Sequence, residues 1–259
     1  MSDVSEQPKR QILRLSKMPA AIYAIGDIHG CLDLYNALEA KIVADAQDID
    51  GPKLIICLGD VVDRGAKSSE VLDRLRGPAP DGFQRLVLRG NHEDMMLAFL
   101  QSPQRHMNWL SFGGEETLAS YGVRASSNRG LAAEGKLIKH KVRTLIPEEH
   151  HEFLKDLPLA LEVGTLRFAH AGYALSKRAH QQSPDMLMWG PPTKADSHVG
   201  AEILVHGHVI VDDVEVQKNR INLDIGAYKT GKLAAMRFDA SCSVVKTLIV
   251  THEFVKDDE

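Results

Sequence analysis

Little in this chain points to the secretory pathway, a membrane or a polyanion. Cys31, Cys57 and Cys242 are its only cysteines, an odd number at unrelated spacings. That implies no disulfide framework or zinc ribbon and fits a reducing cytoplasm. The formal charge of -4 provides no basic footprint, so nucleic acid is not an expected partner. No apolar run approaches the ~18 residues that a membrane span needs, and the stretch to Lys17 lacks the apolar core of a signal peptide. These absences predict a soluble cytoplasmic protein. Residues 1–17 read as a tail of low order, and 18–259 as a single domain. Oligomeric state has no signal.

What is present is a plan repeated three times in the first hundred residues. Ala20–Ile25 is a short apolar run, bounded by Pro19 and Gly26, and reads as a buried strand. It ends at Gly26-Asp27-Ile28-His29-Gly30, and residues 31–47 then take helical spacing. Lys53–Leu58 is a second strand, ending at Gly59-Asp60-Val61-Val62-Asp63-Arg64-Gly65 before a helix over Ser68–Leu75. Phe83–Leu88 is a third, ending at Gly90-Asn91-His92-Glu93 before a helix over about Asp94–Leu100. Alternation of this kind implies βαβ units and a parallel sheet. Loops beyond the carboxyl ends of such strands gather on one side, so the three polar clusters are predicted to converge.

Strand signals vanish between about 94 and 157, which reads as a helical insert rather than a separate domain. Within it, 124–136 look loop-like, and His150-His151 reads as an exposed helix face. Leu159–Val163 and Thr165–Ala169 resemble a hairpin ending at His170-Ala171-Gly172. Glu202–Val205 is a strand ending at His206-Gly207-His208. Arg220–Leu223, Lys232–Phe238 and Ser243–Thr251 read as successive antiparallel strands.

Collected from the strand ends, Asp27, His29, Asp60, Asn91, His170 and His208 are three imidazoles, two carboxylates and one amide. Nitrogen and oxygen donors suit manganese, iron or zinc better than calcium. Six ligands are too many for one catalytic ion and suit two, with a carboxylate bridging. Two ions about 3.5–4 Å apart form a clamp for in-line displacement at phosphorus.

The motifs GDIHG at 26–30, GDVVDRG at 59–65, GNHE at 90–93, HAG at 170–172 and GH at 207–208 resemble the signature set of the phosphoprotein phosphatase branch of calcineurin-like metallophosphoesterases. WLSFGGEETLASYG at 109–122 is similar to the bacterial and phage members, the group that includes the phage lambda phosphatase. The resemblance implies an α/β fold: a β-sandwich flanked by helices, with a βαβαβ metal-binding core. It implies that Asp27 and His29 hold one metal, Asp60 bridges, and Asn91, His170 and His208 hold the other. Manganese is the ion most expected, with iron or zinc as alternatives. A bridging hydroxide would attack phosphorus directly, Arg64 would bind the phosphoryl oxygens, and His92 would protonate the leaving group with Asp63 orienting it.

The implied activity is phosphomonoester hydrolysis by a protein serine/threonine phosphatase, acting on a phosphoprotein or a small phosphoester. The alternative is a symmetrical diadenosine tetraphosphate hydrolase or an RNA-cap-removing hydrolase. That branch typically has Ala at the position of Asp63 and Asp at that of Glu93. A dead binding module is disfavoured because Asp60, Asp63, Arg64, Asn91 and His92 are all intact.

Two features depart from the pattern. Bacterial members often carry a second phosphate-clamping Arg just after the Trp of the segment at 185–192, where this chain reads Trp189-Gly190-Pro191-Pro192. Arg178 or Lys194 is expected to substitute in part. Phe112 stands where Asn is common, Tyr228 is a candidate site-lining residue, and Trp189 is weighed evenly between lining a cleft and closing the core. His206 is expected to support the site without ligating, Cys31 to pack beside it, and Cys57 to lie in the core.

Overall fold

The computed structural model describes residues 11–123 and 140–251. Apolar strands with side chains buried on both faces form the centre of the fold. β2 (Ala21–Ile25) is buried at every residue, and β3 (Lys53–Cys57) at all but its first. With β4 (Phe83–Val87), these strands run parallel, so that Ile25 pairs with Cys57 and Cys57 with Val87. Their carboxyl ends are therefore flush, and the three polar clusters leave the sheet at one level. Between the strands run α1 (Leu32–Asp45) and α2 (Ser68–Arg76), and α3 (Asn91–Gln101) follows β4. This is the expected βαβαβ core, with one difference at its end. Asn91, His92 and Glu93 are the first turn of α3 rather than a loop before it.

The second sheet carries the later motifs. In chain order its strands are β1 (Ile12–Leu15), β5 (Ala160–Val163), β6 (Leu166–Ala169), β7 (Ile203–His206), β8 (Glu215–Val216) and β9 (Arg220–Asn222). Their spatial order is β1-β5-β6-β7-β9-β8. β5 and β6 form the expected hairpin, while β6, β7 and β9 are mutually parallel. The first sheet is completed by β10 (Lys232–Asp239) and β11 (Val244–Thr251), giving the order β11-β10-β2-β3-β4. Ile22, Ile56, Phe168, Val205 and Phe238 belong to one fully buried layer that includes strands of both sheets. A second layer joins the first sheet to α1, α2 and α3. The fold is thus the α/β sandwich with flanking helices that the motifs imply.

Three expectations are corrected. The stretch ending at Lys17 is not all tail, because Ile12–Leu15 pairs in parallel with Ala160–Val163 and Arg14 bonds Glu162. An edge strand of two half-buried and two exposed residues has no clear alternation, and its partner lies far along the chain. β9 is not the next antiparallel strand before β10, because it sits beside β7 in the other sheet. His150 is not exposed: its Nδ1 lies 2.6 Å from Tyr121 Oη and its Nε2 2.9 Å from Asp73 Oδ1. The loop expected at 124–136 lies outside the described residues. No helix of the described residues is long and apolar enough to cross a membrane.

Candidate metal centre and proton-donor site

All six candidate ligands come from strand ends and are brought together. Asp60, just past β3, is their common member. His170 Nε2 lies 3.2 Å from Asp60 Oδ2, and His29 Nε2 lies 3.8 Å from the same oxygen. Asn91 Oδ1 is 2.8 Å from His170 Nε2 and 3.0 Å from His208 Nδ1. Asp27 accepts from the backbone N–H of His208 at 3.0 Å through Oδ2, while its Oδ1 is buried without a hydrogen-bond partner, 4.0 Å from His170 Nδ1. Two groups able to hold a cation result, His29-Asp60-His92 and Asp60-His170-His208, and they share Asp60.

The backbone is shaped for this convergence. His29, Asp60, Asp63, Arg64 and His208 all take positive φ, between 45° and 71°. Such residues cost about 1–3 kcal/mol each when not glycine, and they persist only where surrounding bonds hold them. Glu93 supplies many of those bonds. Its buried carboxylate accepts from the backbone N–H groups of Gly90, Asp60 and Val61, each at 2.8 Å, and of Val62 at 3.2 Å. Close approach also demands glycine: a Cβ at Gly207 would collide with Asp27 Oδ1, and one at Gly90 with the Asp60 carboxylate.

The donors present fit divalent metal. His29 Nδ1 is 2.8 Å from the Val62 carbonyl and His170 Nδ1 is 3.1 Å from that of Leu58, so each ring directs Nε2 inward. Burial lowers His29 to about 3 and His208 to about 4, which keeps both rings neutral, the form that ligates. Burial, with Asp224 and Asp60 nearby, pushes the Asp27 carboxyl well above its ordinary range. A cation at its orphaned oxygen would relieve that cost.

Beside these donors stands a different arrangement. His92 Nδ1 lies 2.6 Å from Asp63 Oδ2, and Asp63 is completely buried. The same oxygen accepts from Trp109 Nε1 at 2.7 Å, and Oδ1 accepts from Thr117 Oγ1 at 2.7 Å. The Asp63 N–H donates to Thr117 Oγ1 at 2.8 Å, so its strained backbone is tied at both ends. Burial opposes a charged His92, yet Asp60 and Asp63 outweigh it and raise its pKa. Arg64 Nη2 is 3.2 Å from His92 Nε2, and its guanidinium lies 4.6 Å over the ring of Tyr228. Tyr228 stands in the short helix Ala227–Thr230 rather than a loop, its ring 5.4 Å from that of His29.

Sequence reasoning singled out 109–122 and Glu93 without assigning them a role. Trp109 and Thr117 prove to be the groups that aim Asp63, and Glu93 braces the Asp60 loop. An indole and a hydroxyl eight residues apart carry no pattern until a fold buries them against one carboxylate.

Arg178 and Lys194 stand apart. Both are exposed, and neither lines the two pockets that flank the centre. Nor could a clamp stand at position 190, because a side chain on Gly190 would run into Met186. Trp189 is 46% exposed, its ring 6.3 Å from that of His208, which settles it as a wall beside the centre rather than a core residue. His206 is buried and bonds Gly207 O through Nδ1; Cys57 is in the core, and Cys31 is half-buried near His29 O.

The model of the calcineurin-like phosphoesterase family matches residues 20–217. The chain is 25% identical over 236 residues to the asymmetrical bis(5′-nucleosyl)-tetraphosphatase PrpE of Anoxybacillus flavithermus, covering 83% of this chain and 89% of that one. It is 29% identical over 224 residues to serine/threonine-protein phosphatase 2 of Salmonella typhimurium, covering 82% and 90%. Among solved structures, a protein serine/threonine phosphatase from Saccharomyces cerevisiae superposes with TM-score 0.57 at 16% identity, covering 98% of this chain and 86% of that one. The dinucleotide hydrolase found by similarity is of the asymmetrical kind, not the symmetrical kind weighed above. With the family model spanning most of the chain and the fold agreeing with it, this protein belongs to the calcineurin-like phosphoesterase family.

Proposed function

We propose that the protein is a metal-dependent phosphomonoesterase of the serine/threonine protein phosphatase type. The observation that carries this reading is one buried carboxylate, Asp60, common to two groups of ligating side chains. Asp27, His29 and Asp60 would hold one divalent ion, and Asp60, Asn91, His170 and His208 the other, with manganese the first candidate. Such ions would make water a nucleophile near neutral pH and offset charge on the phosphoryl oxygens.

The remaining work falls to residues of this chain. Arg64, held against Tyr228, presents a planar guanidinium to the phosphoryl oxygens. His92 gives a proton from Nε2 to the leaving oxygen. Asp63 holds Nδ1–H and favours the protonated ring, as a proton donor requires. Burial of Asp63 behind Trp109 and Thr117 excludes water from that contact.

A second reading is hydrolysis of dinucleoside polyphosphates. It draws support from the names of several relatives and from an apolar pocket beside His208. An assay of phosphoserine peptide, p-nitrophenyl phosphate and diadenosine tetraphosphate, with manganese and with chelator, tests both. Chelator-sensitive turnover of the peptide supports the first reading. No turnover of any ester would end the phosphoesterase reading, and a large preference for the dinucleotide would replace the first by the second.

A further inference from the structure

The centre is flanked by two pockets of opposite chemistry. One, of about 560 Å³, is lined by Arg64 and Tyr228 together with Phe112, Glu115 and Glu116. The other, of about 490 Å³, is walled by Trp189, Pro191, Pro192, Val209 and Val211, and His208 belongs to its lining. The second pocket therefore opens directly onto the ligand cluster. Arg220 is the one cation among its described lining residues. Its guanidinium is already engaged by Asp196 Oδ1 at 2.9 Å and Glu215 Oε2 at 3.1 Å. A phosphate finds no free cationic side chain among the described lining residues. A flat, uncharged group finds a surface there, because the indole is 46% exposed and Val209 is 44% exposed.

We propose that this pocket receives the nucleobase of a nucleoside phosphoester cleaved at the adjacent centre. The inference rests on reading that centre as a phosphoesterase and deepens the second, dinucleotide reading of its substrate. Three observations favour a base over an apolar peptide side chain. The volume is several times what one phenyl ring fills and lies in the ordinary range for small-molecule sites. The indole offers a π-face, which stacks on any base. Beyond the apolar walls, the Thr193 hydroxyl supplies a polar group for a ring nitrogen, which an aliphatic or phenyl side chain would leave unmatched. The reaction consumes one water. Its oxygen bonds to phosphorus, the P–O bond to the leaving phosphate or nucleoside oxygen breaks, and that oxygen takes a proton, with no redox partner.

Two measurements on the full chain test this. Trp109 is 1% exposed and Trp189 46%, so indole fluorescence quenched by a small solute reports mainly on Trp189. Adenosine 5′-monophosphate should quench it saturably and inorganic phosphate should not. In parallel, Trp189→Ala should lower the ratio of kcat/KM for diadenosine tetraphosphate to that for a phosphoserine peptide by about tenfold, the size of one lost base stack. The loss should fall mainly on KM, and Trp189→Phe should restore most of it. Equal quenching by phosphate, absence of quenching by the nucleotide, or an unchanged ratio in Trp189→Ala would overturn the proposal. Failure to hydrolyse any ester would instead remove the phosphoesterase reading, and the fluorescence titration would still decide the pocket.

Discussion

On either side of the Asp60 carboxylate, the site is built from different parts of the chain. On one side stand His29, His92 and Arg64, from the βαβαβ core, with Tyr228 stacked on the arginine. Trp109 and Thr117, from the helical insert, hold Asp63 from behind. On the other side stand His170, His208 and Trp189, carried by the second sheet and the helix before Gly190. The first side is cationic and tightly bonded, with His29 and His92 buried and Arg64 half-buried. The second is apolar beyond its imidazoles and offers no free cation among the described residues lining its pocket. A symmetric clamp would carry an arginine at each end. Here Arg64 stands at one end, while the arginine lining the pocket at the other end, Arg220, is held by Asp196 and Glu215.

If Asp60 joins the two sides, Asp60→Asn should do the most damage. It leaves one neutral amide oxygen where a charged carboxylate is common to both groups, so metal content should fall by at least one ion per chain, and turnover should fall to near background. Elemental analysis beside a phosphatase assay reads both effects. Full metal retention in that variant would show the two sides to be independent.

A substitution confined to the first side should separate chemistry from metal binding. His92→Asn is expected to lower kcat by about 10²–10⁴, as for loss of a general acid, with metal content unchanged. Loss of metal along with activity would make His92 a ligand, as its place in the His29-Asp60-His92 group also permits.

Thr117→Val touches neither metal nor substrate and sharpens the same point at smaller scale. It removes one bond to a buried carboxylate, for which about tenfold in kcat is a fair expectation. The sign of its pH effect follows from His92. As a proton donor His92 must be protonated, and Asp60 and Asp63 raise its pKa against burial, so activity should fall as pH rises through that raised value. A loosened Asp63 holds the proton less well, and the alkaline limb of the kcat profile should move to lower pH. An unmoved limb would leave Thr117 a purely structural role.

The smallest effect is expected on the apolar side. Arg178→Ala combined with Lys194→Ala should leave KM for a phosphopeptide unchanged, since both residues are exposed and line neither flanking pocket. A severalfold rise in KM would restore them as a second clamp.

The legible part of the molecule is the part governed by local rules. Short apolar runs ending in glycine mark β2, β3, β4, β6 and β7, and flush parallel ends then bring Asp27, Asp60, Asn91, His170 and His208 together. What escapes is set by distant partners. β1 exists because β5 gives it an edge, and paired residues such as Arg14 and Glu162 lie 148 positions apart in the chain. His150 looks like a surface residue until Tyr121 and Asp73 close on it. The grip of Trp109 and Thr117 on Asp63 depends on how the insert folds back over α2, which no spacing encodes. The missing arginine was visible at Gly190, but its reason was not: Met186 occupies the space a side chain would need.

Two cation sites should share the Asp60 carboxylate. Calorimetric titration of the chelator-treated protein with manganese tests that most directly. Two ions per chain in the native protein, and fewer in Asp60→Asn, is the predicted result. A single ion per chain in both proteins would contradict it.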